Sequence, residues 1–129
     1  MKDMVKVALD AMGGDNAPIE VVKGAIEAVN EKEQIQVLLV GKEAAIRAEL
    51  EKYTYSSERI KVVNAEEVIT NDEAPVMAIR KKKDSSIVVA LNLVKHKEAD
   101  AFVSAGSTGA VLVGGQLIAG RINNGFPPR

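Results

Sequence analysis

Short runs of aliphatic and β-branched residues alternate along this chain with stretches whose apolar positions recur every three to four residues. Val5 to Leu9 forms the first run, followed by a loop from Asp10 to Pro18. Val22, Ala25, Ile26 and Val29 then stand at i, i+3, i+4 and i+7, which predicts one face of an amphipathic helix. Pro18 is tolerated in its first turn, and Asn30 ends it. The plan repeats: Ile35 to Val40 reads as a second strand, Gly41 as a turn, and Ile46, Leu50 and Tyr53 as the next helical face. Ile60 to Val63 is a third, shorter strand.

The stretch from Thr70 to Pro75 holds capping residues and a proline, so it opens a short helix through Val76, Ala78, Ile79 and Arg80. Asp84-Ser85-Ser86 caps another, with Ile87, Ala90, Leu91 and Val94 on one face. Ala101 to Val103 is a fourth strand. Ser104 to Gly109 leads from it into an apolar helix from Ala110 to about Gly120, whose adjacent Gly114 and Gly115 suit close backbone packing. Alternation of this kind predicts βα units around a mainly parallel sheet, a three-layer α/β/α fold. No repeat or interdomain linker interrupts it. The end, Ile122 to Arg129, is loop-like and stops where a further strand would be expected.

Composition narrows the chemistry. Only Tyr53, Tyr55, Phe102 and Phe126 are aromatic, so the core must be aliphatic, as buried parallel sheets are. The absence of cysteine removes thiol nucleophiles, thiolate metal sites and disulfides, and the single histidine, His96, removes multi-histidine metal sites. Lys and Arg total 17 against 18 Asp and Glu, a balance that gives no electrostatic case for nucleic acid. The acidic and basic residues Asp3 and Lys6 break any signal-peptide core, and no 18-residue apolar run follows, so the expected location is cytoplasmic.

Ligands of open parallel sheets bind at the carboxyl ends of the strands, which directs attention to the loops after the first and fourth strands. Ser104-Ala105-Gly106-Ser107-Thr108-Gly109 combines glycines that allow close backbone approach with hydroxyl donors and a helix start that favours anions. The same composition also suits a plain strand-to-helix turn. The first loop, Asp10-Ala11-Met12-Gly13-Gly14-Asp15-Asn16-Ala17-Pro18, matches neither the dinucleotide nor the P-loop glycine pattern. Its paired glycines nevertheless bring Asp10, Asp15 and Asn16 to the crevice. On spacing alone, Asp15 or Asn16 reads first as the cap of the next helix.

Residues Val7 to Pro18 resemble the opening of the bacterial phosphate acyltransferases of phospholipid synthesis. Ala78 to Ser86 and Ala99 to Ala110 resemble the same family in the same order and at matching spacing. The resemblance runs from about Val5 to Ile122 and covers the N-terminal part of longer family members, so residues 1–122 form the family-like portion and 123–129 a loop. Ser107 stands where many members have Asn, and Phe126-Pro127-Pro128-Arg129 departs from the family's continuation. The resemblance implies a fold akin to phosphotransacetylases and isopropylmalate-type dehydrogenases. It implies transfer of a long-chain acyl group from acyl carrier protein to inorganic phosphate, forming acyl phosphate for glycerol-3-phosphate acylation. It further implies a homodimer, peripheral association with the inner face of the membrane, and contact with a downstream glycerol-3-phosphate acyltransferase.

Phosphate attack on a thioester needs an anion held in line with the carbonyl and a donor for the developing oxyanion. Positioning and electrostatics supply that without cofactor, metal or covalent intermediate. Asp10, Asp15 and Asn16 are the expected orienting residues, Gly13, Gly14, Ser104, Gly106, Ser107, Thr108 and Gly109 the expected substrate-binding ones, and the loop from Ser104 to Gly109 with the following helix start the expected phosphate seat. Arg80-Lys81-Lys82-Lys83, the one dense cationic run, suits phosphate attraction, docking of the acidic carrier protein, or an ordinary solvated helix end. His96, between Lys95 and Lys97 at a helix C-terminus, is expected to play no catalytic part. Two readings stay open: the N-terminal portion of an acyltransferase, inactive on its own, or a non-catalytic anion-binding or dimerising module derived from one.

Overall fold

The computed structural model describes residues 4–70 and 72–106. Its elements run β1 (Val5–Asp10), α1 (Ile19–Glu31), β2 (Ile35–Gly41), α2 (Glu43–Leu50), β3 (Ile60–Asn64), α3 (Pro75–Lys81), α4 (Ser86–Lys95) and β4 (Ala101–Val103). The four strands pair in parallel in the order β3-β2-β1-β4, so the chain reverses its direction of travel across the sheet between β1 and β4. Such a reversal leaves a crevice at the carboxyl ends of the two strands.

Side-chain alternation along the strands divides the core into two layers. Val37, Leu39 and Ile60 pack with Val22, Ala25, Ile26 and Val29 of α1 and with Ile46 and Leu50 of α2. Ala8, Leu38 and Val40 pack on the other face with Ala90 of α4 and Ala99. Helices therefore flank the sheet on both sides, the α/β/α arrangement anticipated from the pattern. All four apolar positions assigned to α1 are buried, and the fully buried Leu39 and Val40 sit on opposite faces of β2. An all-aliphatic interior is what the scarcity of aromatics required.

The ends of the helices depart from expectation. Neither Asp15 nor Asn16 caps α1: Pro18 occupies the N-cap position, one residue before the first turn, and no side chain caps that helix. Backbone carbonyls do the work, with Asn16 O accepting from Glu20 N at 3.1 Å and Pro18 O from Val22 N at 2.9 Å. Thr70 likewise does not cap α3, whose N-cap is Ala74 and whose first position is Pro75. Ser85 does cap α4, accepting from Val88 N at 3.2 Å. Tyr53 lies past the end of α2, although it still packs against the α1 layer. The helix expected over 110–120, with Gly114 and Gly115, lies outside the described residues.

Candidate functional site

β1 and β4 are adjacent, so the loops that leave their carboxyl ends meet. Asp10, the last residue of β1, is 2% exposed. Its Oδ1 accepts from Met12 N at 3.0 Å, which turns the chain sharply after the strand. Its Oδ2 accepts from Ser104 Oγ at 2.8 Å. Ser104 Oγ in turn accepts from Gly106 N at 3.0 Å, folding the second loop back on itself. A buried carboxylate is stable only when its lone pairs are met, and here a backbone amide and a hydroxyl meet them.

Glycine is required where the loops touch. A Cβ on Gly13 would lie 2.7 Å from Gly106 N and 2.9 Å from Asp10 Oδ2, closer than atoms of this kind approach, so the two backbones pack at a distance that only glycine permits. Gly14, with φ +93°, adopts the left-handed backbone that other residues resist. Next to this junction, the exposed amides of Gly14 and Ala105 have no hydrogen-bond acceptor among the described residues. Such amides at the mouth of a parallel sheet are suited to an anionic or polarised oxygen. Both oxygens of the Asp10 carboxylate are engaged in hydrogen bonds of their own.

The cationic run behaves as two groups. Lys82 is turned inward: its Nζ donates to Val68 O at 2.9 Å and to Glu73 Oε2 at 2.8 Å. Glu73 also accepts from Thr70 N at 2.8 Å, and its carboxyl is held below the ordinary value of 4.5, first by the Lys82 hydrogen bond and then by the Thr70 amide. Arg80, Lys81 and Lys83 are exposed and make no ion pair among the described residues. The segment just after α3 lies against the chain leaving β3, because Glu67 bridges to Ser85 and the Glu66 and Glu67 amides donate to Asp84 Oδ2 and O. The run therefore sits at the same carboxyl edge of the sheet as the two loops.

Residues 5–124 match the family model described as fatty acid synthesis protein. The chain belongs to that family. Among curated relatives, the phosphate acyltransferase of Clostridium novyi is 55% identical over 118 residues, covering 92% of this chain and 36% of the relative. That of Clostridium acetobutylicum is 54% identical over 116 residues, covering 90% and 35%, and that of Fusobacterium nucleatum subsp. nucleatum is 55% identical over 124 residues, covering 96% and 37%. The chain thus spans about a third of the length of these relatives.

Within this member of the fatty acid synthesis protein family, Asp10, Gly13, Gly14, Ser104 and Gly106 come together. Asp15 and Asn16 are exposed on the same loop and make no side-chain hydrogen bond among the described residues. Ser107, Thr108 and Gly109 lie outside the described residues. His96 is the exposed C-cap residue of α4, at the end of a helix that leads away from the crevice toward the start of β4. Sequence reasoning missed Glu73 as the partner of Lys82. The Thr-x-x-Glu spacing at 70–73 was visible, but its meaning as a clamp for a lysine nine residues on depends on the path of the chain. Among the described residues no cluster of three or more His, Asp or Glu side chains could hold a metal ion, and none is a helix long and apolar enough to cross a membrane.

Proposed function

We propose that this chain supplies the phosphate-handling α/β portion of an enzyme that transfers a long-chain acyl group from acyl carrier protein to inorganic phosphate. The observation that carries the reading is the junction of Gly13 with Gly106 beside the amides of Gly14 and Ala105, which meet no acceptor among the described residues. The relatives' name, phosphate acyltransferase, agrees with it. In the reaction a phosphate oxygen attacks the thioester carbonyl, the C–S bond breaks, and the carrier's thiolate leaves to be protonated by solvent. The loop amides would hold the attacking phosphate or the carbonyl oxygen, at little cost in reorganisation because Asp10 and Ser104 already fix the backbone. Ser107 and Thr108 would add hydroxyls. Asp15 and Asn16, exposed at the rim, would orient bound groups.

Arg80, Lys81 and Lys83 would receive the acidic carrier protein, with Lys82 kept for the fold. Because the chain spans a third of its relatives, residues 1–129 alone should form little or no acyl phosphate. Amide NMR tests the reading: titration with inorganic phosphate should move Gly13, Gly14, Ala105 and Gly106 saturably, with chloride at matched ionic strength moving none of them. Unmoved peaks at saturating phosphate would end it.

A further inference from the structure

An apolar groove of about 380 Å³ runs beside the loop junction, between α1 and the β1–β4 pair. Its floor is Val7 and Leu9 of β1 with Val103 of β4, and its wall is Val21, Gly24 and Ala28 of α1. Polar groups occur at one end only. Asp10, Glu20 and Ser104, with the backbone of Ala105, line the mouth at the carboxyl edge of the sheet, whereas Ile35 and Val37 line the far end. The groove is therefore polar where it meets the candidate site and hydrocarbon-like beyond it.

Gly24 makes the groove unusual. It lies in the middle of α1, where glycine is a poor helix former, yet a Cβ built on it would meet nothing within 4 Å. No close contact inside the described residues demands a glycine there; its effect is to widen the groove. Val103, on the opposite rim, is 51% exposed. The volume is within the range of small-molecule sites, while a three-turn helix with its side chains would fill roughly 1,200 Å³. A slender apolar ligand fits better than a protein segment.

We infer that this groove holds the hydrocarbon tail of an acyl thioester, with its carbonyl at the mouth beside Ala105, which Gly14 adjoins, and its chain running along β1 toward Ile35. The inference rests on the acyl-transfer reading and adds where the acyl chain lies. On the acyl-transfer reading the head is a thioester carbonyl, a polarised oxygen of the kind that the Gly14 and Ala105 amides suit. The open side of Gly24 sets the bore of the channel, which makes it a specificity-determining position.

The test uses neutral S-acyl-N-acetylcysteamines of six, eight and ten carbons, with binding followed by calorimetry and amide NMR. Affinity should rise about fourfold per methylene until the tail outgrows the groove, with shifts at Val7, Leu9, Gly24 and Val103. Gly24→Leu and the more adaptable Gly24→Met should weaken decanoyl binding tenfold or more, Gly24→Ala much less, with circular dichroism unchanged and the phosphate-induced shifts at Gly14 and Ala105 intact. Length-independent affinity, or decanoyl binding untouched by both bulky variants, would overturn the inference. So would absence of thioester binding, whether Gly24→Leu then changes the oligomeric state, marking an interface between copies, or shifts the amides of residues 107–129, marking cover by the chain itself. If the thioester binds as described and phosphate does not, the acyl-transfer reading fails while the groove remains an acyl-chain site.

Discussion

Ser104 donates its hydroxyl proton to Asp10 Oδ2 at 2.8 Å across 94 positions of sequence, and this one bond ties the end of β1 to the loop after β4. The single hydroxyl proton is committed to Asp10 and the hydroxyl oxygen accepts from Gly106 N, so Ser104 has no proton left to give a substrate. Its part in any reaction is to hold the glycine loop. Ser104→Ala should therefore lower stability by ~1–3 kcal/mol, the cost of leaving a buried acceptor unmet, measurable by urea unfolding. The Gly106 amide should at the same time lose its protection against hydrogen exchange. Full stability with unchanged exchange would show that the bond contributes nothing.

Gly13 and Gly24 give opposite expectations for the same substitution. Gly13→Ala places a methyl 2.7 Å from Gly106 N, and a backbone atom cannot swing aside as a side chain does, so a loss of ~1–3 kcal/mol is expected. Gly24→Ala enters open space in a helix and should stabilise by up to ~1 kcal/mol. Equal effects of the two in thermal unfolding would mean that the loops are not packed as described.

Much of this architecture was legible from residue order, and the reason is local. β1, β2 and β3 are aliphatic-rich runs, each broken only near its start by a polar residue, Lys6, Gln36 or Lys61, because most of each strand lies between helices, and the α1 stripe at Val22, Ala25, Ile26 and Val29 follows from one helix lying on one face. Ser85 was legible as a cap since an N-cap bond spans three residues. Asp10 with Ser104, and Glu73 with Lys82, were not. A side chain's partner across many residues is chosen by strand order, which periodicity does not encode. The same limit explains why Asp15 and Asn16 looked like caps: the loop turns through the Asp10–Met12 bond before α1 begins, and backbone carbonyls serve its first turn instead.

The Glu73–Lys82 pair predicts an acid-limb effect of definite sign. Folding lowers the Glu73 pKa from its ordinary value of 4.5, so the unfolded chain binds more protons there than the native one as pH falls. The stabilisation is present above 4.5 and is lost as pH drops through the folded value. Glu73→Gln should thus flatten the fall of stability on that limb and leave the region above pH 6 parallel to wild type. The Glu73 carboxyl is 28% exposed, so salt should reduce the effect. Parallel curves for both proteins from pH 6 down to pH 2 would show that the pair does not couple to folding.

The cationic run offers the most direct test of carrier-protein docking, because the fold has already divided it. Arg80, Lys81 and Lys83 are exposed at the C-terminal end of α3, next to the exposed Val76 and Met77, while Lys82 is spent on Val68 and Glu73. Changing Arg80, Lys81 and Lys83 together to Gln removes free charge without touching the clamp, so stability should stay within ~0.5 kcal/mol of wild type. Binding of acyl carrier protein should weaken and lose most of its salt dependence, since steering by exposed charges is screened over ~8 Å at physiological ionic strength. Lys82→Gln should do the reverse: it should cost stability by stranding Glu73 and the Val68 carbonyl, and leave carrier affinity in the folded protein nearly intact. If phosphate attraction is the role of the run instead, the triple variant raises the phosphate needed to shift the Gly14 amide and carrier affinity is unchanged. Measuring both affinities at two salt concentrations separates these outcomes, and a triple variant equal to wild type in both would make the run ordinary solvated surface.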